Sequence, residues 1–107
     1  MSYIDTIIFD AGGHTGNEYY VRFVVDDTGQ AWDDVNEKLS LSSNWVDEAI
    51  ELVEQGLTGQ YPIVIPTDLP TGKRYNIVIY KLVGSEAQST DDIEKQYQVM
   101  RGSIFGF

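Results

Sequence analysis

The chain has 107 residues and a formal net charge of −10, from seventeen acidic and seven basic residues. This length suits one domain with a single core, and a hydrophobic fraction of 42% is typical of a globular protein. The sequence contains no cysteine, which excludes disulfides and thiolate metal sites, and we expect neither a membrane span nor a signal peptide.

The composition favours strands over helices. Val, Ile, Thr, Tyr, Phe and Trp total 40 residues, whereas Ala and Leu together total ten. β-branched and aromatic side chains suit the pleated, half-buried surface of a sheet. We therefore expect a mostly β protein, divided into short strands by its glycines and prolines.

The first part of the chain contains four predicted strands, at 3–9, 18–25, 30–32 and 36–41. The second of them has the clearest pattern, because its odd-numbered residues from Tyr19 to Val25 are all apolar or aromatic and share one face. Residues 26–29 (DDTG) predict a tight turn in which Gly29 adopts a positive φ.

The second part contains three further predicted strands, at 59–65, 74–83 and 96–105, with a polar loop over 84–92. Pro62 cannot donate a hydrogen bond to a neighbouring strand, so the first of these is predicted at a sheet edge or as regular only after Pro62. Residues 77–80 are apolar on both faces, which predicts a central strand.

Residues 45–55 fit two structures. Val46, Ala49, Ile50 and Val53 recur at helical spacing, which makes a short helix one alternative. Asn44 is its candidate N-cap and Gly56 its stop signal. The other is a strand over 48–53 that directs Ile50 and Leu52 inward.

Seven or eight short strands without a repeat or a linker are typical of one antiparallel sandwich or barrel. We predict an all-β fold, a single immunoglobulin-like antiparallel β-sandwich that covers residues 1–107.

The charge is unevenly distributed. Residues 1–57 contain twelve acidic and two basic residues, whereas residues 58–107 contain five of each. Nucleic acids and anionic membranes are bound through clustered Lys and Arg, so both are disfavoured as partners. The acidic surface serves either solubility or docking onto a basic partner protein.

No catalytic or metal-binding motif stands out. His14 is the one histidine, in a glycine-rich loop without a recognisable nucleophile or orienting acid, and we interpret it as a surface residue. Three acidic pairs could in principle ligate Ca²⁺ but lack the spacing of an EF-hand, so solvated turn acids are the favoured interpretation: Asp26/Asp27, Asp33/Asp34 and Asp91/Asp92. We predict no enzyme activity and no cofactor.

The aromatic residues divide into two groups. Tyr19, Tyr61 and Tyr75 are in phase with apolar neighbours and are predicted in the core. Five others are less constrained, and they either pack on the second face of a sheet or form a surface that binds a sugar or a protein. These candidate binding-face residues are Tyr20, Trp32, Trp45, Tyr80 and Tyr97.

The order of these motifs resembles small β-sandwich modules of bacteriophage and prophage virions, which belong to head, neck and tail proteins. The resemblance spans about residues 17–105. It rests on residues 19–25 followed by 27–32 (DTGQAW), on 50–54 with Gly56, on 59–61, on Pro66 with 69–72 (LPTG), and on 75–80, Asp91-Asp92 and 102–104. It favours a strand over 48–53, and residues 84–90 depart from it because relatives are richer there in Gly, Ala and Pro.

The resemblance implies a non-enzymatic virion protein, such as a head decoration, fibre-base or tail-associated module. Its expected partners are other virion proteins or further copies of itself. The alternative hypothesis is a carbohydrate- or receptor-binding β-sandwich, which requires an exposed row of aromatic rings.

Overall fold

A computed structural model describes residues 6–12, 17–41, 45–56, 58–66, 68–70 and 72–101. The one helix in these ranges has four residues, so no described helix is long enough to cross a bilayer. In chain order the elements are β1 (Thr6–Asp10), β2 (Tyr19–Val25), β3 (Ala31–Asp33), β4 (Lys38–Ser40), α1 (Trp45–Glu48), β5 (Ile50–Glu51), β6 (Gln60–Val64), β7 (Lys73–Lys81) and β8 (Asp92–Arg101).

The strands form two antiparallel sheets. The larger has the order β4-β3-β2-β7-β8, and β5 pairs with the N-terminal part of β2. The smaller consists of β1 and β6, paired from Thr6 opposite Val64 to Asp10 opposite Gln60. The prediction of an antiparallel β-sandwich is confirmed.

One apolar core lies between the two sheets. β2 contributes Val21 and Phe23, and β6 contributes Ile63 from the opposite side, all of them completely buried. The three tyrosines predicted in the core are at most 5% exposed, which confirms that prediction: Tyr19, Tyr61 and Tyr75.

Most strand predictions agree with the structure. β7 is central, between β2 and β8, and β1 is the one described strand that pairs with β6, which contains Pro62, as predicted for an edge strand. The turn after β2 is also confirmed, because Gly29 has a φ of 74° and its N–H donates to the Val25 carbonyl at 2.9 Å. Residues 3–5 and 102–105 of the predicted strands lie outside the described residues.

The predicted boundary between the polar loop and the last strand is wrong. β8 begins at Asp92, four residues before the predicted start at residue 96, and pairs with β7 from Asp92 to Arg101 with one register shift, between Ile79 and Tyr80 of β7. Polar side chains at 92, 94 and 96 resemble a loop in sequence, but all three are exposed and fit a strand at a sheet edge.

Residues 45–55 contain parts of both predicted alternatives. One helical turn ends at Glu48, and the chain then pairs with β2, with Ile50 opposite Val21. Leu52 is buried, whereas Val46 and Val53 are 48% and 73% exposed, so the face expected for a long helix does not form. Pairing with β2 determines the structure after the first turn, against the local helical pattern.

Candidate docking face

The alternation of side chains in β2 directs Tyr20 and Arg22 away from the core. Tyr20 lies directly opposite Tyr80 on β7, and their rings stack with centroids 5.0 Å apart and planes 14° apart. Val78 lies opposite Arg22 and is also buried. We call this side of the larger sheet, opposite to the core, the outer face.

Helix α1 covers part of the outer face. The Trp45 ring meets the Tyr80 ring edge-on at 5.3 Å, and its Nε1–H donates a hydrogen bond to the Tyr20 hydroxyl at 2.9 Å. One helical turn is unstable in isolation because nucleation costs more than a single turn returns. These contacts with the sheet therefore hold α1 in place.

An ion pair joins α1 to β2. The Arg22 guanidinium donates from Nη2 to Glu48 Oε1 at 2.6 Å and from Nε to the same oxygen at 3.2 Å. The central carbon of the guanidinium, Cζ, lies 3.6 Å from the centroid of the Trp45 ring. The Nη1 atom donates a hydrogen bond to the Tyr80 hydroxyl at 3.2 Å. Arg22 thus contacts both Trp45 of α1 and Tyr80 of β7.

Glu48 is the most deeply buried acid of the described chain, with 1% of its surface exposed. Its Oε1 atom is satisfied by Arg22, whereas Oε2 is buried without a hydrogen-bond partner among the described residues. A buried carboxylate depends on its counter-ion because it has lost its hydration. The position of α1 is therefore coupled to the charge on Arg22.

Asp91 holds the loop between β7 and β8, residues 82–91, against the same face. Its Oδ2 atom accepts hydrogen bonds from the Tyr20 hydroxyl at 2.6 Å and from the Gln88 N–H at 3.0 Å, and Oδ1 accepts from the Val83 N–H at 3.3 Å. The Tyr20 hydroxyl therefore connects two segments far apart in sequence, α1 through Trp45 and this loop through Asp91.

The environments of these two groups shift their ionisation in opposite directions. Burial and the hydrogen bond to Asp91 raise the pKa of Tyr20 above its ordinary value. Burial opposes ionisation of Asp91, but the hydrogen bonds from Tyr20, Gln88 and Val83 outweigh it and lower its pKa. Tyr20 is thus a neutral donor and Asp91 a charged acceptor at neutral pH.

Substituting Asp91→Asn is expected to lower the free energy of unfolding by about 2 kcal/mol at pH 7, because hydrogen bonds to a buried charge are lost and an amide N–H₂ faces donors. Equilibrium urea unfolding measures this loss. The neighbouring Asp92→Asn is the matched control, since Asp92 is exposed, and its effect should stay within about 0.5 kcal/mol.

The wild type and Asp91→Asn also show how the contribution of Asp91 to stability depends on pH. A carboxyl whose pKa is lower in the folded state contributes its full stabilisation above the unfolded pKa, about 3.9 for Asp, and loses it as the pH falls through the folded pKa. The stability difference between the wild type and Asp91→Asn should be constant from pH 7 to about 5 and shrink below about pH 4. A difference independent of pH down to 2.5 would contradict the role of the Asp91 charge.

The structure brings three of the five candidate binding-face aromatics together. Tyr20, Trp45 and Tyr80 pack against one another on the outer face, whereas Trp32 is 2% exposed within the main core. Tyr97 on β8 is half-buried against that core, with Lys95 Nζ 5.6 Å from its ring centroid. None of the five rings is exposed, so they do not form the exposed row that the carbohydrate hypothesis requires.

Asp26 and Asp27 are exposed in the turn after β2, whereas Asp33 ends β3 and Asp92 begins β8. The interpretation of the acidic pairs as solvated turn acids is wrong for Asp33 and Asp91, which are buried because neighbouring groups satisfy their oxygens. Asp33 accepts hydrogen bonds from the N–H groups of Val35 and Asn36 and from the Asn36 side chain, and these bonds lower its pKa. Asp34 accepts from Trp32 Nε1 at 3.1 Å. Within the described ranges no three His, Asp or Glu side chains gather to hold a metal ion. His14 lies outside those ranges.

Sequence reasoning missed Arg22, Glu48 and Asp91 as parts of this face. The one local signal was Arg22, a charged residue inside the alternating pattern of β2. Glu48 lay within both alternatives for residues 45–55 without a predicted role, and Asp91 was interpreted as a solvated turn acid. Their burial depends on partners 26 and 71 residues away, which single-sequence patterns do not indicate.

No protein family, curated protein or solved structure matches this chain.

Proposed function

We propose that this chain is a non-enzymatic structural protein of a phage virion, a head decoration, fibre-base or tail-associated module that docks onto other virion proteins. Two features of different kinds support the proposal. The first is the order of strands and turns through which the sequence resembles such modules. The second, which supports docking most directly, is the free edge of β8.

β8 is the longest of the described strands and lies at one end of the larger sheet as described, hydrogen-bonded to β7 on one side. None of the other described strands pairs with its outer side. An unpaired strand edge offers a row of backbone donors and acceptors to which another chain can add a strand. Docking by strand addition therefore needs no preformed ligand pocket.

The side chains of β8 limit which strand can add. Glu94, Lys95 and Gln96 are exposed, and charged residues at an edge discourage unselective pairing. A partner strand must match this charge pattern, so the same edge that permits assembly also restricts it. The net charge of −10 further favours a basic protein surface over a phosphate backbone.

Co-sedimentation with assembled heads and tails of the source phage tests the proposal. The isolated protein should pellet with particles or tail pieces and should not be retained by double-stranded DNA at physiological salt. Retention by DNA without binding to particles would overturn the proposal.

Two matched variants test whether β8 mediates docking. Ile93 on β8 is 60% exposed, and Val35 in the turn between β3 and β4 is 68% exposed. Ile93→Lys adds a charge beside the edge and should weaken particle binding about tenfold, whereas Val35→Lys should change it less than twofold. Equal effects of the two variants would contradict docking through β8.

A further inference from the structure

A cavity of about 340 Å³ opens beside the outer face, between α1 and the loop at residues 82–91. This volume is near the lower end of the range for small-ligand sites, roughly 300–1,000 Å³, and suits one long side chain better than a large ligand. Tyr20 forms part of its wall. The cavity is therefore built on the Tyr20 hydrogen bonds that hold both of its flanking segments.

The lining of this cavity has two chemical parts. Ala49, Leu82 and Ala87 are partly buried and give it an apolar wall. Glu18, Glu51 and Glu86 also line it and are exposed. The glutamates alone would not define a site, but here they line the same cavity as the apolar wall.

The described lining contains no basic residue that could neutralise these carboxylates. Arg22 follows Tyr20 by two residues on β2, but it already forms an ion pair with Glu48 and a cation–π contact with the Trp45 ring. An anionic ligand would be repelled, and a flat sugar ring would find Tyr20 already covered on one face by Tyr80. An occupant that combines an aliphatic part with a positive charge complements both parts of the lining.

We propose that this cavity receives a lysine or arginine side chain of a partner protein. The methylene groups lie along the apolar wall, and the ammonium or guanidinium group remains at the opening among the three carboxylates. That the partner is a virion protein rests on the proposed function, whereas the preference of the cavity for a basic side chain does not.

Titration of the ¹⁵N-labelled full chain with capped tripeptides, each with a central test residue between two serines, measures the preference by NMR. Lysine and arginine peptides should give saturable shifts of the Ala49, Leu82 and Ala87 amides, and their ratio shows which head group is preferred. A norleucine peptide, which has an aliphatic stem without the charge, should bind at least about tenfold more weakly. A glutamate peptide should give no saturable shift.

A matched pair of charge variants separates local from general attraction. The triple variant Glu18→Gln, Glu51→Gln and Glu86→Gln should weaken the lysine peptide at least about tenfold. The control Asp27→Asn, Glu37→Gln and Asp68→Asn removes the same charge from exposed positions elsewhere and should weaken it less than about twofold. Unchanged circular dichroism and urea midpoints establish that both variants are folded.

Any of three results would overturn the inference. The first is the absence of a saturable shift with a basic peptide at 10 mM, a concentration on the order of the weakest useful affinity. The others are equal binding of the norleucine and lysine peptides, and an equal loss of lysine-peptide affinity in the two triple variants. If basic peptides bind but the protein does not bind particles, the proposal for the cavity stands and the proposed virion function is rejected. If the protein binds particles but no basic peptide, the proposed virion function stands and the proposal for the cavity is rejected.

Discussion

Replacing Arg22 by Met is expected to lower the free energy of unfolding by about 3–5 kcal/mol, the usual cost of removing one partner of a buried ion pair. Glu48 would remain 1% exposed with neither oxygen paired by a described residue. The variant also removes the guanidinium that lies 3.6 Å from the Trp45 ring centroid, so α1 loses the cation–π contact together with the ion pair. Equilibrium urea unfolding at pH 7 measures the loss.

The double variant Arg22→Met and Glu48→Met distinguishes an unpaired charge from poor packing. Because an apolar pair of similar volume often replaces a buried ion pair without loss, the double variant should lie within about 1 kcal/mol of the wild type. Recovery on adding the second substitution would assign the cost to the isolated carboxylate. A single variant that loses less than about 1 kcal/mol would contradict the burial of this pair.

Replacing Ile63 by Ala is expected to lower the free energy of unfolding by about 2–5 kcal/mol, since the change removes buried methyl and methylene groups and leaves a cavity. Ile63 belongs to the smaller sheet, opposite Ile7 on β1, and its side chain is completely buried in the core shared with β2 and β7. The loss therefore reports how tightly the smaller sheet packs on the larger one.

The adjacent residue provides the control. Val64 directs its side chain to the opposite side of β6 and is 66% exposed, so Val64→Ala should change stability by less than about 0.5 kcal/mol. Comparable losses at both positions would mean that β6 is buried on both faces or on neither, in conflict with a two-layer sandwich.

The sequence predicted the features that depend on local pattern. Alternation identified β2 and its core face, and the positive φ of Gly29 followed from the turn after it. Pro62 marked β6 as an edge strand because a missing N–H has the same consequence in any fold. These successes share a cause, since each rule concerns residues within one strand or one turn.

The outer face could not be predicted because its contacts join distant segments. Tyr20 and Tyr80 meet through strand pairing across 60 residues of sequence, and Asp91 reaches Tyr20 from the far end of a loop. Residues 45–55 were ambiguous for the same reason, because a single helical turn becomes stable only when Trp45 packs against the larger sheet. The departure of residues 84–90 from the phage modules falls in the loop that forms one wall of the acidic cavity.

Hydrogen–deuterium exchange of the protein, free and bound to particles, tests docking through the larger sheet most directly. Strand addition should slow exchange in residues 92–101, and a seated basic side chain should slow it in 82–91 and 45–51. The amides of β1 and β6 should exchange at the same rate in both states. Slower exchange confined to β1 and β6, with residues 82–101 unchanged, would contradict this account.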